Sequence, residues 1–182
     1  MGLGIGGEEG KLRILDLGCG DQKLPGAIGV DLDPKATEAD IIADMEDMRA
    51  EVKDCVADRV VMFHSLEHVN VLRALREAHR VLKPGGTIYI ETPNAYNAAL
   101  IVRLLLRNRY DVCEDHVQTF GVQELRNALA RAGFTVTKWG YRDLEARFCD
   151  MSIMGLSNVL GRLIVKLLPQ FGEALWVEGV KA

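Results

Sequence analysis

The residues of this chain that are equipped for chemistry follow short apolar runs. Gly18-Cys19-Gly20 comes directly after Leu12–Leu17 (LRILDL), the pattern of a buried strand running into a tight loop. Glycines there let the backbone turn sharply and a ligand approach closely, although glycines also simply end strands. Asp31 closes the next run, Ala27–Leu32 (AIGVDL). An ionised Asp only accepts hydrogen bonds, so at a strand end it suits the two hydroxyls of a ribose; its plainer role is to form the turn before Pro34. Asp44 follows Ala39–Ala43 (ADIIA). It suits an exocyclic amine, with the backbone of Met45 at the ring edge, or it caps the following turn.

A second group is made of His64, His68 and His116, with Glu67 as an acid or orienting group. Imidazole titrates at about 6.5, close to neutral pH, and so suits proton transfer. The plainer roles are that His68 starts a helix and His116 bonds backbone ahead of Thr119. No metal site is expected. The histidines do not fall at zinc-ligand spacing, and the cysteines (Cys19, Cys55, Cys113 and Cys149) never form a C-x-x-C pair.

These groups need a scaffold. Arg59–Phe63 (RVVMF) and Thr87–Glu91 (TIYIE) read as further strands, as do Phe134–Trp139 and Leu175–Val180. Between Val69 and Lys83, Leu72, Leu75 and Leu82 recur at helical spacing, with Arg73, Arg76, Glu77 and Arg80 on the other face. Pro84-Gly85-Gly86 stops that helix, and Val122–Ala132 makes another, stopped by Gly133. Strands alternating with helices imply an α/β sandwich around a mainly parallel sheet of about six to seven strands.

With 182 residues, 48% apolar and 26% charged, the chain has the size and mixture of one soluble globular domain, 1–182. A net charge of −4 reads against a grip on nucleic acid, which needs clustered Lys and Arg. Residues 1–11 are glycine-rich and acidic, read as a flexible N-terminus without signal-peptide features. Free thiols and no leader imply the cytoplasm.

Gly18-x-Gly20 is followed by Lys23 where a dinucleotide fingerprint has its third glycine, and Asp31 arrives sooner than the spacing for NAD recognition. The chain instead resembles class I S-adenosylmethionine-dependent methyltransferases, the broad group that includes the type 11 small-molecule enzymes. The resemblance runs from about Leu12 to Trp139. It rests on ILDLGCG (14–20), GVD (29–31), ADM (43–45), HSLEHV (64–69), VLKPGG (81–86) and the stretch 116–134. It implies a Rossmann-like three-layer fold. It also implies that Asp16, Gly18 and Gly20 line the methionine part of S-adenosylmethionine, Asp31 the ribose, Asp44 with Met45 the adenine, and His64 and Ser65 the sulfonium, with Cys19 and Leu32 as further cofactor-binding residues. One departure stands out. Ten residues separate Gly20 from Asp31, whereas three helical turns need about 11, so the family's helix after the first strand is shortened or lost.

The expected activity is methyl transfer to a small molecule, with His116, His68 and Glu67 as catalytic candidates. The alternative is a non-catalytic cofactor-binding or partner-regulating domain. Segments 95–115 and 141–174 contain apolar helical stretches, 95–109 and 153–168, too short to span a bilayer. They read as core helices, as a lid over a hydrophobic acceptor, or as a surface for a homodimer or a peripheral membrane contact. If His116 acts on the acceptor, His116→Gln cuts turnover while sparing cofactor affinity; unchanged turnover in a methyl-transfer assay would remove it from the mechanism.

Overall fold

The apolar runs become strands because each is short, flanked by turn residues and buried. The computed structural model describes residues 12–98, 100–101, 115–142 and 165–182. Its strands are β1 (Ile14–Leu17), β2 (Ile28–Asp31), β3 (Ile41–Ile42), β4 (Ala57–Phe63), β5 (Leu82–Pro93), β6 (Phe134–Arg142) and β7 (Ala174–Lys181). They form one seven-stranded sheet in the order β3-β2-β1-β4-β5-β7-β6. Strands β1 to β5 pair in parallel, and β7 runs antiparallel between β5 and β6. This is the mainly parallel, Rossmann-like α/β architecture expected, and the strand order reverses between β1 and β4.

Two helices, α1 (Val71–Val81) and α2 (Val122–Arg131), lie side by side. Leu75, Leu125 and Leu129 from them are fully buried, in one cluster with Leu15, Leu17, Val60, Met62, Ile88 and Ile90 of the sheet. Truncating such a leucine to alanine costs about 2–5 kcal/mol. Asn70 caps α1 by accepting from the Arg73 amide at 3.2 Å.

No helix joins β1 to β2. The chain crosses in turns, closed by hydrogen bonds from the Gln22 amide to the Cys19 carbonyl and from the Ala27 amide to the Leu24 carbonyl. The expected loss of this helix is what the structure has. Among the described residues, no helix is long and apolar enough to cross a membrane. The expected flexible N-terminus 1–11 lies outside the described residues, as do residues 99, 102–114 and 143–164 of the expected lid segments.

Two expectations are corrected. Pro84-Gly85-Gly86 does not separate helix from strand, because β5 already begins at Leu82. Ala57 faces Leu82 and Arg59 faces Thr87, so Lys83–Gly86 loop out of the ladder as a bulge, with Gly85 at φ +75°. Pairing resumes beyond the proline, which has no amide to donate. Glu77 and Arg80 are also not on a solvent face. Glu77 is buried, accepts from the Met48 amide at 2.8 Å and holds Arg80 at 2.8 Å. Arg80 in turn reaches Asp54 and the Val52 carbonyl, at 2.6 and 2.9 Å. This pair fastens the loop after β3 to α1.

Burial pushes the Glu77 carboxyl up, but Arg80, the Met48 amide and Arg49 outweigh it and hold it below the usual range. A depressed carboxylate stabilises the fold above its unfolded pKa, near 4.5, and that stability is lost as pH falls through the folded value. Glu77→Gln therefore costs about 1.5–3 kcal/mol at pH 7. In urea unfolding the gap from the parent narrows below pH 4.5; a gap independent of pH would contradict the assignment.

Candidate functional site

The ends of β1, β2, β3 and β4 bring the first group of residues to one edge of the sheet, at the reversal in strand order where open parallel sheets bind ligands. The loop after β1 is folded onto β2: the Gly18 amide donates to the Val30 carbonyl at 2.8 Å and the Cys19 amide to the same oxygen at 3.3 Å. The Gly20 amide donates to Asp31 Oδ2 at 2.8 Å, and the Asp33 amide to Asp31 Oδ1 at 2.9 Å. Each oxygen of Asp31 thus keeps a lone pair free, beside Leu32, which is 65% exposed.

Gly18, at φ +74°, leaves no room for a side chain, since an added Cβ would lie 2.4 Å from Ser65 Cβ and 2.8 Å from Met45 Cε. That contact draws the three loops together. Gly20, at φ +51°, has open space at its Cβ position. Ser65 is buried and donates to the Leu17 carbonyl at 2.8 Å, tying β4's end to β1's. Asp44 caps its own turn by accepting from the Glu46 amide at 2.8 Å, the plainer of its two expected roles.

Two of the residues expected to line the cofactor have their side chains held inside the protein. Asp16 is 1% exposed and accepts from the Leu24 amide at 2.7 Å, so its carboxylate anchors the short crossing. Burial pushes it up against that bond and Lys23. Cys19 is buried against Gly29. Burial and the neighbouring Asp31 and Asp16 push its thiol up to about 11, which disfavours the thiolate form.

His64, directly after β4, has φ +50°, a backbone conformation that non-glycine residues adopt at a cost. Its amide donates to the Glu91 carbonyl at 2.8 Å. The ring stands between two buried carboxylates, with Nδ1 3.7 Å from Glu67 Oε1 and Nε2 3.7 Å from Glu91 Oε1. Pairing with Glu91 raises its pKa, burial works against that, and the charges of Glu67 and Glu91 add to the rise. Glu91 also accepts from Tyr89 at 2.9 Å and meets Arg142 at 3.0 Å. Burial pushes Glu91 up, yet His64, Tyr89 and Arg142 outweigh it and hold it down. Sequence reasoning missed Glu91, Tyr89 and Arg142. Tyr89 and Glu91 had one signal, the alternation of TIYIE, which sends them to the face opposite Ile88 and Ile90; Arg142, at the end of β6, had none.

The second group also converges. Leu66–His68 form a 3-10 turn, and the Glu67 carbonyl accepts from the Val117 and Gln118 amides at 3.0 and 3.3 Å. This clamp lays His116 against His68, edge to face with centroids 4.8 Å apart. Glu67 is 1% exposed, and its Oε2 accepts from Thr92 at 3.0 Å.

The two glycines separate conformation from contact. Gly20→Ala, with open space but a positive φ, loses about 1–2 kcal/mol. Gly18→Ala loses more, because the same penalty is joined by overlap with Ser65. Urea unfolding checks both, and equal losses would contradict the close approach at Gly18.

The family model described as a methyltransferase domain matches residues 5–138. The uncharacterized protein MJ1252 of Methanocaldococcus jannaschii is 27% identical over 138 residues, 69% of this chain and 49% of that protein. The chain thus spans about half the length of that relative. Among solved structures, a SAM-dependent methyltransferase from Archaeoglobus fulgidus superposes with a TM-score of 0.63 at 18% identity, covering 94% of this chain and 87% of that one. One from Methanosarcina mazei gives 0.62 at 17%, covering 93% and 92%. A complex between the Haloferax volcanii Trm112 methyltransferase activator and a methyltransferase gives 0.64 at 19%, covering 93% and 81%. The chain belongs to the methyltransferase domain family, and its fold is that of the class I S-adenosylmethionine-dependent methyltransferases.

Proposed function

We propose that this chain binds S-adenosylmethionine across the ends of β1 to β4 and transfers its methyl group to a small-molecule acceptor. The observation that carries this reading is the Gly20–Asp31 pair. The bond from the Gly20 amide holds the Asp31 carboxylate at the loop edge with lone pairs to spare, and the Cβ position of Gly20 opens on free space. That donor set suits a ribose diol. Leu32 offers an apolar surface beside it, the Asp44-Met45 turn is adjacent to the adenine position, and His64 and Ser65 border the sulfonium. When bound, S-adenosylmethionine supplies a methyl group whose leaving group is a neutral thioether. The chain therefore has mainly to orient the acceptor and exclude water.

The acceptor side is assigned to the turn that holds His64, Glu67, His68 and His116. A hydrophobic acceptor is supported by large apolar side chains left in solvent at the borders of the 95–115 and 141–174 segments. Tyr96 is 52% exposed, Val117 67% and Leu167 74%. The second reading, a domain that binds the cofactor and works through a partner protein, is favoured by the missing helix after β1.

Calorimetry with S-adenosylmethionine and S-adenosylhomocysteine, with NAD as control, tests the proposal. Both bind and NAD does not. Asp31→Ala weakens binding about 10–100-fold, the equivalent of roughly 1.5–3 kcal/mol for a hydrogen-bonded charge. A folded protein that binds neither compound would overturn the proposal. Binding without methyl transfer in a broad acceptor screen would favour the partner-dependent reading.

A further inference from the structure

We infer that Glu67, His68 and His116 form a binding site for a first-row divalent cation. Sequence spacing spoke against any metal site, because His116 lies far along the chain from the Glu67-His68 pair. The fold removes that objection. The Val117 and Gln118 amides are hydrogen-bonded to the Glu67 carbonyl, and one ligand atom from each of the three residues lies within 4.8 Å of the others. Tetrahedral ligands at about 2.1 Å from one ion stand about 3.4 Å apart, so an adjustment of about 1.5 Å closes the set.

Two atoms point to an occupant. Glu67 Oε1 and His116 Nδ1 are buried and have no hydrogen-bond partner. Buried polar atoms are nearly always paired, and an unpaired one calls for an explanation such as a bound ion. Here a buried carboxylate oxygen, which the His64 ring faces at 3.7 Å, and a buried imidazole nitrogen stand without hydrogen bonds in the same cluster.

The surroundings are those of a supported ligand set. His68 Nδ1 is 3.1 Å from the Asp115 carbonyl, an oxygen that can only accept, so the proton sits on Nδ1 and the Nε2 lone pair is free. Ligating histidines ordinarily have their second nitrogen fixed in this way. Thr92 does the same for Glu67 by donating to Oε2 at 3.0 Å, which leaves Oε1 for the ion. Two imidazoles and one carboxylate suit zinc, manganese, iron or cobalt and leave positions open for an oxygen donor, either water or an acceptor hydroxyl. Under this inference His68 and His116 hold an ion and do not themselves take a proton.

The inference is independent of cofactor binding, and the same samples separate the two. Tag-free protein stripped with EDTA is titrated with Zn2+ and with Mn2+ by calorimetry, and with Co2+ by visible absorption. The expected result is one cation per chain and a cobalt spectrum without a thiolate band. Affinity falls at least 10-fold in His116→Ala, in Glu67→Gln and in His68→Gln. His68 is exposed, so His68→Gln keeps the fold, which circular dichroism and S-adenosylmethionine binding verify. His79→Gln, a histidine outside the cluster, leaves cation affinity unchanged. No saturable binding by the parent protein would overturn the inference, as would affinity that persists in His68→Gln or is lost in His79→Gln.

Discussion

The site depends on how the chain gets from β1 to β2 without a helix. In ten residues it must leave one strand end, turn back and enter the neighbouring parallel strand. Asp16 makes this possible: its carboxylate, 1% exposed at the end of β1, accepts from the Leu24 amide at 2.7 Å. That bond gives the crossing a fixed point inside the protein where a helix would have supplied a row of its own hydrogen bonds. With the crossing fixed, Gly18 and Cys19 are held against the Val30 carbonyl, Gly20 meets Asp31, and Gly18 comes close enough to Ser65 to join the β1 and β4 loops. An acidic side chain at the end of the first strand thus serves the loop's shape before it serves any ligand.

The other half of the site rests on a backbone clamp. Two amides from the stretch before α2 share the Glu67 carbonyl, and this places His116 beside His68 and Glu67. On the other side, Glu91, Tyr89 and Arg142 gather around His64. His64 joins the two halves, between Glu67 and Glu91, in a strained backbone conformation that the hydrogen bond from its amide to the Glu91 carbonyl maintains. Positive, negative and unpaired polar groups are therefore concentrated at the ends of β4 and β5, while Ile88, Ile90, Val60 and Met62 behind them are packed in apolar core.

Much of this was legible from residue order. Short apolar runs located the strands described, β5 excepted in its early start at Leu82, and the short interval between Gly20 and Asp31 foretold the missing helix. What escaped was pairing across long sequence separations. Glu77 looks like a surface residue of an amphipathic helix until Met48 and Arg80 meet it. Pro84-Gly85-Gly86 looks like a break until the ladder with β4 picks up on both sides of it. His116 lies outside any metal-ligand spacing, and only the tertiary clamp on Glu67 makes it a neighbour. Local pattern carries information about which face and which element. It carries none about which distant partner a buried charge will find.

Cofactor binding as proposed requires the pinned crossing after β1 to hold a site open beside Asp31. A crystal structure with S-adenosylhomocysteine tests it most directly. The expected complex has the ribose hydroxyls on Asp31, the adenine against Leu32 and the Asp44-Met45 turn, and the Leu24–Asp16 hydrogen bond intact. Ligand bound elsewhere on the sheet, or a crossing that abandons Asp16 to admit it, would overturn this role for the crossing.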